Sequence, residues 1–211
     1  MGLFVALSGV IGADVNDVKN VLSKFTQSQN GGFELVEESP DAPNIGIITR
    51  NGPNTTVIYP DGFSEWDDVS RVLSEKLAKS VFSFHIHDGD FWMFILFSDG
   101  KEIGWFNPVP EYWEELPPNE KEKWKGDASL IAGLFPSVSV DAITKYFGEW
   151  DDDIEDEELK AYPDDEFTIE DCWQMCDFMK KIGFEYPIYD DGIHGDTFRF
   201  WTKGFRLHKT K

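Results

Sequence analysis

The residues best suited to chemistry lie in one short stretch, His85–Asp90, where two histidines alternate along a predicted strand. Residues two apart on a strand point to the same face, so the imidazoles of His85 and His87 would converge. With a two-residue turn at Asp88-Gly89, Asp90 would lie opposite His87 on that face. Divalent metals accept imidazole and carboxylate ligands, and a bound metal can activate water. One hypothesis is therefore a metal-dependent hydrolase or a metal-binding protein with His85, His87 and Asp90 as ligands.

The same stretch also has a purely structural interpretation. Asp88 and Gly89 are the residues that a type I′ turn requires, and Asp90 opposite His87 is an ordinary cross-strand pair. The chain has only four histidines, and neither of the other two lies near in sequence to complete a metal shell. This interpretation is favoured over the metal site, and we expect no cofactor.

Aromatic residues follow the histidines on the next two strands. Two-residue turns at Asp88-Gly89 and at Asp99-Gly100 would place His85, Trp92 and Trp105 on one face of the sheet. The other face would then be core. The candidate binding residues on this face and in the segment after it are His85, Trp92, Trp105, Asn107, Tyr112 and Trp113. Tryptophan and tyrosine combine a large apolar area with a polar group, which suits a binding surface. The alternative is that C-terminal helices pack here and bury the tryptophans.

The charge of the chain restricts its partners. It has 40 acidic and 19 basic side chains and a formal net charge of −21. No basic face is left to neutralise phosphates, so nucleic acid and membranes are not expected as partners, and a basic protein fits better. The densest acidic run, 149–158, lacks the central glycine of a calcium loop. It is interpreted as a solvated loop or as a docking surface for that partner, with Asp151, Asp152 and Asp153 as candidate binding residues.

The elements that must position these residues follow from hydrophobic periodicity and turn signals. Helices are predicted at about 14–26, from a Ser64 cap onward and from a Thr168 cap to Gly183, and a hairpin is predicted over 197–207. The pattern predicts an α+β fold of ferredoxin-like character, an antiparallel sheet with helices on one face. The organisation predicted is a sheet region over 1–110 and a mainly helical region with the hairpin over 111–211, packed on the sheet as a single unit.

The two cysteines indicate the compartment. Cys172 and Cys176 are four residues apart on one apolar face of a predicted helix, as expected of core thiols in a reducing environment. The apolar first seven residues have no basic residues before them and stop at Ser8-Gly9, which does not fit a signal peptide. No stretch has the length of a membrane span. We therefore expect a cytoplasmic protein.

Catalytic signatures are not found in the sequence: it has no G-x-S-x-G, no phosphate-binding glycine loop and no H-E-x-x-H. The strings at His85–Asp90, Phe106–Pro110 and Tyr162–Phe167 resemble a group of bacterial cytosolic proteins with no assigned activity, and that resemblance implies no catalytic residues. In general character the chain also resembles bacterial toxin-immunity proteins. The leading prediction is a non-enzymatic protein-binding module of the immunity type, and the metal-dependent hydrolase is the alternative.

Overall fold

One large antiparallel sheet carries the candidate residues in the computed structural model, which describes residues 2–150, 158–189 and 192–207. The strands are β1 (Val5–Val10), β2 (Gly32–Leu35), β3 (Ile45–Asn51), β4 (Asn54–Ile58), β5 (Val81–His87), β6 (Phe91–Ser98), β7 (Lys101–Phe106), β8 (Ile188–Tyr189), β9 (Gly192–Ile193) and β10 (Asp196–Trp201). Eight of them form the sheet in the order β2-β10-β3-β4-β1-β5-β6-β7, and β8 pairs with β9. The predicted α+β class and antiparallel sheet are confirmed. The closer ferredoxin-like comparison stays a prediction.

The helices differ greatly in length. They are α1 (Val15–Ser28), α2 (Trp66–Leu77), α3 (Pro118–Lys121), α4 (Ala128–Ala132) and α5 (Gln174–Lys181), with short 3₁₀ turns at Glu122–Trp124, Val140–Ala142 and Thr144–Tyr146. The Asp14 side chain accepts the amide of Asn16 at 2.9 Å and begins α1 close to its predicted position. The Ser64 cap is wrong, because α2 starts at Trp66 and its N-cap, Glu65, makes no side-chain cap bond.

Both faces of the sheet are covered, each by a different part of the chain. Side chains of α1 and α2 pack on one face in a cluster that includes Val18, Leu73 and Val57. On the other face, Phe178 of α5 and Phe184 pack against the apolar side chains of β5 and β6. The expectation that helices lie on one face alone is therefore wrong. The second layer buries the second apolar face of β6, which is apolar on both sides.

The prediction of a mainly helical C-terminal half is also wrong. Its helices, α3, α4 and α5, have 4, 5 and 8 residues. The helix predicted from Thr168 begins only at Gln174, after a turn in which Asp171 accepts the amide of Trp173 at 2.8 Å. Residues 197–207 do not form a closed hairpin: β10 lies between β2 and β3. Residues of the 111–211 region thus belong to the same sheet as the 1–110 region.

Within the described ranges, no helix combines the length and the apolar character that crossing a bilayer requires.

Candidate interaction surface

The loop between β5 and β6 determines which side chains share a face. Asp88 and Gly89 have φ values of 55° and 82°, and the Asp90 amide donates to the His87 carbonyl at 2.9 Å, so the predicted Asp-Gly turn forms. Asp90 is left out of the ladder, however, and His87 pairs with Phe91. This extra residue shifts the register by one. Every side chain of β6 therefore points to the face opposite the predicted one.

A bulge after the second turn reverses that shift for β7. Ser98 pairs with Lys101 across Asp99-Gly100, as predicted for a two-residue turn. A bulge between Leu96 and Phe97 then moves the register of β6 and β7 by one. As a result Trp105 pairs with Ile95, and it shares the face of His85 although Trp92 does not.

Trp92 is a core residue and does not lie beside His85. Its side chain is 0% exposed, and its indole Nε1 donates to Oε1 of Gln174 at 3.2 Å. Its ring lies 4.7 Å from that of Phe106 and 5.3 Å from that of Phe178. The predicted pairing of His85 with Trp92 is wrong, because the bulge at Asp90 brings Trp92 onto the face that α5 covers. The alternative, burial by C-terminal elements, describes Trp92 correctly.

Asn107 and Trp105, two of the predicted binding residues, are engaged in bonds within their own strand and the segment that follows it. Asn107 is buried; its side-chain Oδ1 accepts the backbone amide of Val109 at 2.9 Å, and its backbone amide donates to the Trp124 carbonyl at 2.9 Å. These bonds shape the exit from β7. Trp105 is half-buried, and its Nε1 donates to the Glu102 carboxylate at 3.0 Å.

His85 is a buried and fully engaged histidine. Its Nδ1 lies 2.9 Å from the Val5 carbonyl, which only accepts hydrogen bonds, so Nδ1 carries the proton. The Trp66 ring stacks on the imidazole with centroids 4.5 Å apart and an interplanar angle of 14°. Burial, with the neighbouring His87, lowers the pKa of His85 to about 4. The ring is therefore neutral at pH 7, and its Nε2 is an acceptor.

The two histidines meet, but the three predicted metal ligands do not. Nε2 of His85 lies 3.4 Å from Nδ1 of His87. The Asp90 carboxylate instead accepts the Tyr112 hydroxyl at 2.6 Å. In the part of the chain that the structure describes, no group of three histidine, cysteine, aspartate or glutamate side chains is placed to hold a metal. The metal site stays a prediction.

An exposed aromatic cluster surrounds His87, and we call it the aromatic surface: Phe4, Tyr112 and Trp113 around the His87 ring. Their ring centroids lie 5.2, 5.6 and 4.9 Å from that of His87. Phe4, Tyr112 and Trp113 are 48%, 41% and 57% exposed. The structure thus brings together four aromatic rings at the end of the hairpin and leaves three of them open to solvent.

Exposed carboxylates contact this surface or lie near its residues in sequence, and we call them the acidic rim: Asp88, Asp90, Glu111, Glu114 and Glu115. The hydrogen bond to Asp90, together with the charges of Asp90 and Asp88, raises the pKa of Tyr112. Glu111 is held by Lys121, whose Nζ lies 3.0 Å from its carboxylate. The predicted acidic docking residues Asp151, Asp152 and Asp153 lie outside the described residues.

Comparison with known proteins identifies no relative that would assign a role to this surface. No family model, no curated protein and no solved structure matches the chain. The resemblance to bacterial cytosolic proteins, and the weaker one to immunity proteins, stay predictions. Any functional conclusion therefore depends on the geometry and charge of the surface itself.

Two residues of the site were missed in the sequence. Phe4 lies in the apolar run at the start of the sequence, but β1 begins at Val5 and leaves Leu3 and Phe4 exposed. Trp66 packs against the apolar cluster beneath α2, and its ring also stacks on His85. No local signal links Trp66 to His85, since the contact depends on how α2 crosses the sheet.

Proposed function

We propose that this chain is a non-enzymatic protein-binding module that docks a basic protein through the aromatic surface and the acidic rim. The observation that carries the proposal is the exposure of Phe4, Tyr112 and Trp113 in one cluster around His87. Single exposed apolar residues are common on protein surfaces, but contiguous patches mark interaction sites. Aromatic side chains are also the residues that interfaces favour at their centres.

Charge complementarity supports a basic partner. The chain has a net charge of −21, and the acidic rim adds carboxylates at the edge of the aromatic surface. Lysine and arginine bind aromatic faces through cation–π interactions and pair with carboxylates at the same time. A field of one sign also speeds the encounter with a partner of the other sign. The immunity-type role is the form of this proposal that the compositional resemblance favours.

The aromatic surface is held in place before any partner binds. The Tyr112 hydroxyl is anchored on Asp90 at 2.6 Å, and the rings of Tyr112 and Trp113 lie 5.3 Å apart. Beneath them, His85 is held by Trp66 and the Val5 carbonyl. An ordered surface loses less conformational entropy on binding, which favours affinity.

The ionisable groups nearby support recognition over catalysis. His85 has a pKa of about 4, and its Nδ1 is occupied by a backbone carbonyl. A general base works best with a pKa near the working pH. Burial also raises the pKa of the Cys172 thiol to about 11, far from that of a reactive thiolate.

The test is a pull-down from native lysate at low and moderate salt with matched variants. The wild type and Leu35→Ala, a control 54% exposed elsewhere, should recover the same salt-sensitive basic protein. Phe4→Ala combined with Trp113→Ala should lose it. Glu114→Gln with Glu115→Gln should weaken recovery more than Glu37→Gln with Asp61→Asn, which removes the same charge at distant exposed positions. Equal recovery by all variants would refute the proposal.

The metal-binding alternative is favoured by one observation, the 3.4 Å separation of Nε2 in His85 and Nδ1 in His87. Two nitrogens this close can both approach one ion, with further ligands from water or a bound molecule. Elemental analysis of the purified protein separates the candidates. Stoichiometric zinc, manganese or iron that is lost in His87→Ala would favour the alternative, and metal-free protein with no thermal shift on adding these ions would remove it.

A further inference from the structure

A concave site lies beside α5 and shares no residue with the aromatic surface. It is a cavity of about 780 Å³, within the range of small-molecule sites. Aromatic rings form much of its lining, among them Phe167, Trp173 and Tyr186. The Trp173 and Tyr186 rings meet edge to face with centroids 5.3 Å apart, and both are half-buried. We call this site the α5 cavity.

The charged side chains of the α5 cavity are mainly carboxylates. Among the described residues, Glu166, Asp177 and Glu185 line it with one cation, Lys180. The Asp177 carboxylate is engaged by the amides of Glu166 and Phe167, at 3.0 and 2.8 Å. Glu185 accepts the hydroxyl of Tyr189 through Oε1. These contacts fix two carboxylates beside the aromatic rings in a chain that is already strongly negative.

The thiol in the α5 cavity is not a nucleophile. Burial, and then the charges of Asp177 and Glu166, raise the pKa of Cys176 to about 12. A thiol with this pKa stays protonated at neutral pH, whereas the thiolate is the form that attacks. The cavity therefore presents aromatic rings and fixed carboxylates to a ligand.

We propose that the α5 cavity binds a small organic cation, an alkylammonium or polyamine compound, between the aromatic rings and the carboxylates. Aromatic faces attract ammonium groups, and the attraction is larger where the site is partly desolvated. Carboxylates in the same lining add Coulombic attraction. An anionic ligand of the same size would be repelled by these carboxylates. This inference is independent of the proposed docking function.

The experiment compares choline with its uncharged isostere, 3,3-dimethylbutanol, and adds spermidine as a second cation. Calorimetry on the full chain should show saturable binding of at least one cation, with the isostere at least about tenfold weaker. Trp173→Ala should weaken cation binding about tenfold. Glu185→Gln, a surface change that spares the core, should weaken it less. Trp113→Ala, in the aromatic surface, should leave it unchanged.

Three results would overturn the inference. They are no saturable binding of either cation, equal binding of choline and its isostere, and unchanged binding in both Trp173→Ala and Glu185→Gln. Circular dichroism of each variant checks the fold, and Glu185→Gln decides the outcome if Trp173→Ala does not fold. Loss of cation binding with intact recovery of the basic partner would separate this site from the docking surface.

Discussion

The two faces of the β5–β6 pair both carry aromatic side chains but differ in how far these side chains are buried. On one face Trp92 is fully buried and its indole is hydrogen-bonded to Gln174 of α5. On the other, His87 lies at the end of the strand among rings that remain exposed. The difference comes from coverage: the C-terminal segments extend over the first face, whereas α2 covers the second only as far as His85. An aromatic residue of this hairpin region is thus buried or exposed according to whether another segment of the chain covers it.

The largest expected effect is on the covered face. Trp92→Ala should lower the free energy of unfolding by about 3–5 kcal/mol, because it leaves a cavity and an unpaired Gln174. Trp113→Ala should change it by less than about 0.5 kcal/mol, because the side chain is 57% exposed. Urea denaturation of both variants measures the contrast. Similar losses in the two variants would mean that both tryptophans support the core.

A second effect concerns the pH dependence of stability. The native pKa of His85 is about 4, below the ordinary value of 6.5. The unfolded chain therefore binds a proton as the pH falls below 6.5, while the native state does so only near 4. Stability attributable to His85 is full above pH 6.5 and is lost as the pH falls toward 4, by about 3 kcal/mol at most.

Urea denaturation between pH 4 and 7 checks this, with His85→Gln as the comparison. The variant should lose less stability than the wild type over that range, because glutamine takes up no proton. Identical pH slopes would show that His85 is not held neutral by its surroundings.

The smallest effect concerns the anchor of the aromatic surface. Tyr112→Phe removes the hydroxyl that Asp90 accepts at 2.6 Å and keeps the ring. Because the pair is exposed, we expect a stability change below about 0.5 kcal/mol. Recovery of the basic partner should fall a few-fold, since the ring is less ordered before binding. Recovery equal to that of the wild type would show that this hydrogen bond does not organise the surface.

Local signals in the sequence were sufficient for much of the fold. Hydrophobic periodicity predicted a helix at about 14–26, where α1 forms with Asp14 as its cap, and the two Asp-Gly pairs predicted both reversals around β6. These elements depend on residues that are close in the chain. The aromatic surface was predictable in part, because His87, Tyr112 and Trp113 flank one hairpin and its exit.

Features that depend on distant contacts were not predictable. The bulge at Asp90 places Trp92 under α5, where its indole bonds to Gln174, 82 residues later in the chain. The insertion of β10 joins Thr197 to Val36, 161 residues earlier, and no local pattern distinguishes it from a hairpin. Phe4 and Trp66 likewise reach the site through tertiary packing.

The most direct test of docking through the aromatic surface is site-specific photocrosslinking in native lysate. The aromatic photoreactive residue benzoylphenylalanine, which keeps a large ring at the position, replaces Trp113 in one sample and Leu35, on the edge strand β2, in another. The account predicts a discrete crosslinked product with a basic protein from position 113, sensitive to salt, and no such product from position 35. The same product from both positions, or none from position 113, would contradict it.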